Sequence, residues 1–210
     1  MQRNCAIRSP IAVIWALLLL GLAPTAASAR SLSTAERGMI ETSRPSVTVA
    51  PAESPADADV TGVVDIPAPP AAVWEVLYDC ARAPAVMPDL TRCAVLEAGP
   101  GGAWDIREHR VRWISLLPEI SSRFRSDYVV NASIRFQLAG GDLNALDGEW
   151  RLEPLFAGSA TRLHYHARVG FGALIPSFVI RNALADDVPK FLEAIRTESS
   201  RVAAPRVAAP

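Results

Sequence analysis

Between Leu146 and Val169 the chain reads as one β-hairpin with a single workable register. Folded back between Ala157 and Gly158, it sets Leu152 against Leu163, Trp150 against Tyr165, Gly148 against Ala167 and Leu146 against Val169, so large meets large and small meets small. Because strand side chains alternate between faces, a one-residue slip would turn this whole apolar set outward. The other face pairs Glu153 with Arg162, Arg151 with His164, Glu149 with His166 and Asp147 with Arg168. Opposite charges facing each other across strands contribute about 0.2–1 kcal/mol each.

That register bears on His164 and His166. Two apart on a strand, they share a face, which invites a metal reading. The face is the charged outer one, however, and Arg162 and Arg168 beside them oppose a divalent cation. His109 lies on an earlier strand with Arg107 and Arg110 nearby. The expectation is a solvent-facing histidine pair and no metal site.

The remaining elements follow from period and punctuation. "DVTGVVDIP" reads as a strand; "PAPPAAVWEVLYDCARAP" opens with prolines suited to a helix N-terminus and spaces Val73, Val76, Leu77 and Cys80 helically. "AVMPDLTR" is a proline-broken turn or short helix, and "CAVLEAGPGGAWDIREHRV" reads as two strands. The "GPGG" between them is followed by alternating residues and not by a helix, so it is a hairpin turn and not a phosphate cradle.

"SRFRSDYVV" and "SIRFQLAGG" form a second hairpin; a three-residue loop of Asn131, Ala132 and Ser133 would oppose Val130 to Ile134 and Tyr128 to Phe136. The segment "LIPSFVIRNALADDVPKFLEAIRTES" spaces Phe178, Leu184, Val188, Leu192 and Ile195 as a helical stripe for packing on the sheet. Pro189, lacking an amide hydrogen, should kink this helix near Ala185 or divide it.

The start of the chain has the pattern of an export signal. Arg3 and Arg8 precede an apolar run, Pro24 and then Ala27-Ser28-Ala29, so residues 1–29 read as a cleavable signal peptide. Their loss takes the formal charge from −1 to −3, which gives no electrostatic footprint for nucleic acid. A periplasmic or secreted location follows. Residues 30–57, without apolar period, read as a disordered leader, and 200–210, with "RVAAP" twice, as a disordered tail. Cys5 leaves with the signal peptide; Cys80 and Cys93 are then either a disulfide or two buried thiols.

The order of strand, helix, broken helix, antiparallel strands and long C-terminal helix is that of the helix-grip fold. On "IPAPPAAVWEVLYD" with "MPDL", "GEWRLEP" with "TRLHY", and "IPSFVIRNALADDVPKFLEAIR", the chain resembles the START-like superfamily, also called SRPBCC or Bet v 1-like. Within it, the polyketide cyclase or coenzyme-Q-binding START-like group is the nearest in pattern. The resemblance spans residues 59–198 and implies an α+β domain over 58–199. In it, a curved antiparallel sheet of about seven strands wraps the long helix around an apolar cavity. In the family's usual strand order, His109 stands at least three strands, or about 14 Å, from His164, too far to share a metal.

A family cavity gives the inward aromatics a candidate role as its lining: Trp104, Phe124, Tyr128, Phe136, Trp150, Tyr165 and Phe178, with Ile106. Alternation from Trp104 and Ile106 would also send Glu108 and Arg110 inward to hold a polar head group. The competing reading is a bulge after Ile106 that turns Val111 and Trp113 inward and both charges to water. No G-x-S-x-G, H-E-x-x-H, P-loop or C-x-x-C motif occurs.

The leading expectation is an exported, non-catalytic carrier of an isoprenoid, quinone, sterol-like molecule or lipid. It would be a monomer without cofactor, touching a membrane transiently for loading. A cyclase-type enzyme using the same cavity is the alternative, and a ligand-free interaction module the third reading.

Overall fold

In the computed structural model, residues 31–54, 57–112, 119–171 and 176–204 are described. The expected signal peptide, Trp113 and residues 205–210 lie outside them.

The sheet is built from β1 (Ser46–Pro51), β2 (Asp57–Ile66), β3 (Leu90–Ala98), β4 (Trp104–Val111), β5 (Ile120–Val129), β6 (Ser133–Gly141), β7 (Ala145–Leu155) and β8 (Ala160–Gly170). Their spatial order is β1-β2-β8-β7-β6-β5-β4-β3, every pair antiparallel. Among the described residues four α-helices accompany it: α1 (Thr34–Thr42), α2 (Pro70–Tyr78), the single turn α3 (Ala83–Val86) and α4 (Ser177–Ala203). This is the helix-grip fold, with eight strands where about seven were expected.

The β7–β8 register is the one the sequence dictates at every position from Leu146/Val169 to Glu153/Arg162. The inner side carries Trp150, stacked on Tyr165 with ring centroids 4.1 Å apart, and Leu152 against Leu163, both buried. The outer charges are neutralised more widely than the hairpin alone suggests. Asp147 meets Arg168 at 2.7 Å, but His164 turns diagonally to Glu153 at 2.9 Å, while His166 and Arg162 reach Asp59 and Asp65 on β2. Both histidines are thus on the wet face.

α4 lies across the concave face. Val188, Leu192 and Ile195 are buried in the core beside Val60 and Val64 of β2 and Val73 and Val76 of α2. Gly62 makes the approach feasible, since a Cβ there would stand 2.8 Å from Leu192 Cδ1. α4 runs as one helix through Pro189. Phe178, expected on the sheet-facing stripe, is instead 60% exposed in the first turn.

The presumed leader is ordered from Ser33. Ser33 and Glu36 form a reciprocal capping box that starts α1, and Ile40 on that helix is 3% exposed. β1 then pairs along β2 and packs Val47 and Val49 against the core. The buried Arg196 of α4 donates to the carbonyls of Ile40 and Glu41, at 3.3 and 3.4 Å. The domain therefore begins well before residue 58, and α4 carries it to Ala203, into the expected tail.

The β5–β6 turn also differs. Its loop is Val130, Asn131 and Ala132, with Asn131 at φ 60°, and Tyr128 opposes Ile134 while Ser126 opposes Phe136. Asparagine tolerates the left-handed conformation better than its neighbours, which centres the loop on it. The slip is two residues, so the faces are unchanged.

Candidate functional site

Between the concave face of the sheet, α3 and α4 lies a cavity of about 550 Å³, a volume typical of small-molecule sites. Its walls are mostly apolar. Phe124, Phe136, Trp150, Tyr165, Phe171 and Phe191 supply the aromatic lining, and Val86 and Met87 at and after α3 form part of one side. Phe191 meets Trp150 edge-on at 5.7 Å, so α4 and β7 hold the indole from two directions. Exposed Lys190 and Asp187, paired at 3.0 Å, and Asp89 are its charged lining outside the sheet.

One wall is polar. On β4 the inward residues are Asp105, Arg107, His109 and Val111, opposite Ser126, Phe124, Ser122 and Ile120 of β5. Asp105 and Arg107 are 3% and 5% exposed, burial that charged groups tolerate only when paired and hydrogen-bonded. Arg107 Nε and Nη2 donate to the two Asp105 oxygens at 3.1 and 2.5 Å, Nη2 also donates to Tyr128 Oη at 2.5 Å, and Nη1 to the Tyr78 carbonyl at 3.2 Å. Its guanidinium carbon stands 5.8 Å from both tyrosine ring centroids. Of five guanidinium N–H groups, one on Nη1 is left without an acceptor among the described residues.

Charge in this wall is locked. Burial works against the Arg107 cation, but the Asp105 carboxylate outweighs it and raises the pKa above its ordinary value. Burial, then the neighbouring Arg107 charge, lowers the His109 pKa to about 4. The imidazole is therefore neutral at neutral pH. Burial also raises the phenols of Tyr128 and Tyr165, which stay protonated. The wall thus presents hydrogen-bonding groups and no net charge.

Of the candidate lining residues, Phe124, Phe136, Trp150 and Tyr165 lie at the cavity. Tyr128 faces inward but is spent on Arg107 and on edge contacts with Trp74 and Tyr78. Four candidates on β4 face outward. Trp104 lies under the Arg125 guanidinium at 4.2 Å, Ile106 shares its side, and Glu108 pairs with Arg92 and Arg110 at 3.5 and 3.1 Å. No bulge after Ile106 is involved: plain alternation starting from Asp105 turns Val111 inward. Phe178 is outside the cavity as well.

The sequence reading missed Asp105, Arg107 and His109 because it took the apolar Trp104 and Ile106 as the inward set, which by alternation places 105, 107 and 109 on the outer face. A β4–β5 register would have exposed the error by setting Arg107 against Phe124, but the sequence "WISLLP" at 113–118 carries no two-residue hairpin signal from which to count.

At the edge of this wall Cys80, just after α2, is disulfide-bonded to Cys93 of β3, with Cα atoms 5.4 Å apart. The bridge fastens the α2–α3 connection to the sheet.

A curved sheet gripping a long helix over an apolar cavity defines the START-like class. The chain belongs to the family described as polyketide cyclase/dehydrase and lipid transport, which its residues 66–196 match. Its fold is similar to that of an aromatase/cyclase, Zhui, from Streptomyces sp. R1128, with TM-score 0.61 and 20% identity over 73% of this chain and 99% of that one. It is also similar to a STAR-related lipid transfer protein from Xanthomonas axonopodis, with TM-score 0.62 and 17% identity over 74% and 93%. Human STARD10 gives TM-score 0.63 and 11% identity over 76% and 70%. No curated protein sequence matches the chain. α1 and β1 precede the part that the family describes.

Proposed function

We propose that this protein is an exported carrier of an uncharged hydrophobic molecule, bound in the cavity with a carbonyl or hydroxyl group against Arg107 and His109. The observation that carries the reading is the pairing of an aromatic cavity with a polar wall whose charges cancel internally. A fatty-acid carboxylate entering there would meet an arginine already neutralised by Asp105, and would lose its hydration without a matching countercharge. An isoprenoid quinone or sterol-like molecule needs only a donor for its oxygen, and the remaining Arg107 N–H is one. The signal-like segment at residues 1–29 and the disulfide support export, because disulfides persist in oxidising compartments.

The second reading is a cyclase-type enzyme, favoured by the likeness in fold to the Streptomyces aromatase/cyclase and by polar groups on the cavity wall. Against it, an imidazole with a pKa near 4 is a weak base at neutral pH, and the phenol of Tyr128 is held protonated. The two readings separate on one experiment. Lipid extraction of protein purified from the periplasm of its own host is expected to yield a neutral lipid in stoichiometric amount. Turnover of an added compound without an accumulating complex would favour the enzyme.

A further inference from the structure

The disulfide has a third neighbour. Cys93 and His109 are directly opposed across β3 and β4, with Cys93 Sγ 3.3 Å from His109 Nε2. The ligating atoms of Cys80, Cys93 and His109 all lie within 4.8 Å of one another. We propose that reduction of the Cys80–Cys93 disulfide converts this cluster into a Cys2His binding site for a zinc-class divalent cation.

The geometry requires little movement. Tetrahedral zinc with bonds of about 2.3 Å to sulfur and about 2.0–2.1 Å to nitrogen has edges of about 3.5–3.8 Å between its ligand atoms. The Cys93–His109 edge is already close to that length. The two sulfurs must part by less than about 2 Å, which side-chain rotation supplies when the Cα atoms are 5.4 Å apart. The ligands come from two paired strands and from the segment following α2, so the frame is held by β3 and β4 and only Cys80 rides on a connection.

The donor set is that of a zinc site with three protein ligands, whose fourth position goes to water or to a bound molecule. Because His109 lines the cavity, the ion would sit at the cavity's polar wall. The arginine two residues away, which would repel a cation if free, is bonded to Asp105, and two thiolates bring the opposite charge.

The chemistry balances with an external dithiol as reductant. It delivers two electrons and two protons to the Cys80–Cys93 bond and becomes a disulfide itself, and binding of the cation then releases the two thiol protons. In the oxidised state the same residues clamp the α2–α3 connection covalently; in the reduced state the metal would clamp it by coordination.

The test is titration of the full chain with cobalt(II), then zinc(II), before and after treatment with a phosphine reductant. The expected result is one equivalent of cobalt in the reduced protein only, with a sulfur-to-cobalt charge-transfer band and tetrahedral visible bands that zinc abolishes. Cys80→Ser with Cys93→Ser should eliminate the signal, and His109→Ala should weaken binding at least tenfold. Equal binding by oxidised and reduced protein, no stoichiometric band in folded reduced protein, or an unaffected His109→Ala would overturn the proposal. If the reduced chain unfolds, circular dichroism decides the matter: zinc should restore the folded spectrum, and failure to do so also overturns it.

Discussion

The guanidinium of Arg107 grips both carboxylate oxygens of Asp105, two residues earlier on the same buried face of β4. This pair sets the electrostatic character of the cavity wall. Removing one partner of a buried pair leaves an uncompensated charge, at a typical cost of about 3–5 kcal/mol. Asp105→Asn should therefore lower the thermal midpoint strongly, and should shift binding toward fatty acids, whose carboxylate can replace the missing countercharge. Unchanged stability and unchanged preference in a ligand panel would show that the pair does not govern selectivity.

His109 gives the fold a pH dependence of known sign. Its folded pKa of about 4 lies below the ordinary 6.5, so between these values the unfolded chain binds more protons and folding stability falls as pH falls. Above about pH 6.5 both states are neutral and the contribution is flat. The loss down to pH 4 amounts to about 3 kcal/mol at most. Denaturant unfolding from pH 7 to pH 4 should show that slope, and His109→Gln should remove most of it.

The Cys80–Cys93 bridge spans a sequence separation of 13. Loop-entropy arguments give about 3 kcal/mol for a closed loop of that size. Replacing both cysteines by serine should lower the thermal midpoint accordingly, and thiol titration of unfolded, unreduced protein should find neither Cys80 nor Cys93 free.

Ile40 reports on the segment that precedes the family's domain. If α1 docks as described, Ile40→Ala should cost about 2–5 kcal/mol, the range for truncating a buried aliphatic side chain. A change near zero would mean that the segment does not pack on α4 in solution.

How much of this was legible depended on what each residue's neighbours revealed. The β7–β8 register could be read residue by residue because Trp150/Tyr165 and Gly148/Ala167 match only one way. The facing of β4 could not, because the apolar Trp104 and Ile106, from which the alternation was counted, face outward, while Asp105 and Arg107 are buried and satisfy each other. β1 was missed for a related reason: Val47 and Val49 are only two apolar residues in a polar stretch, and β2 supplies the ladder that makes them a strand. Phe178 sits near the spacing of the core stripe, but Ile180, four residues before Leu184 and 2% exposed, takes the buried place in the first turn of α4, which leaves Phe178 turned outward. Of the aromatics lining the cavity, the four read from the sequence, Phe124, Phe136, Trp150 and Tyr165, lie on strands whose hairpins fixed their facing.

The central claim, that this cavity binds an uncharged apolar molecule, is tested most directly by titrating the folded protein with a short-chain isoprenoid quinone while following tryptophan emission. Trp150 lines the cavity and is stacked on Tyr165, so the account predicts saturable quenching at one equivalent. That quenching should survive excess fatty acid and be lost in Ala194→Phe, which fills the cavity from α4. Absence of saturable binding across a panel of neutral lipids, or equal binding by folded Ala194→Phe, would contradict it.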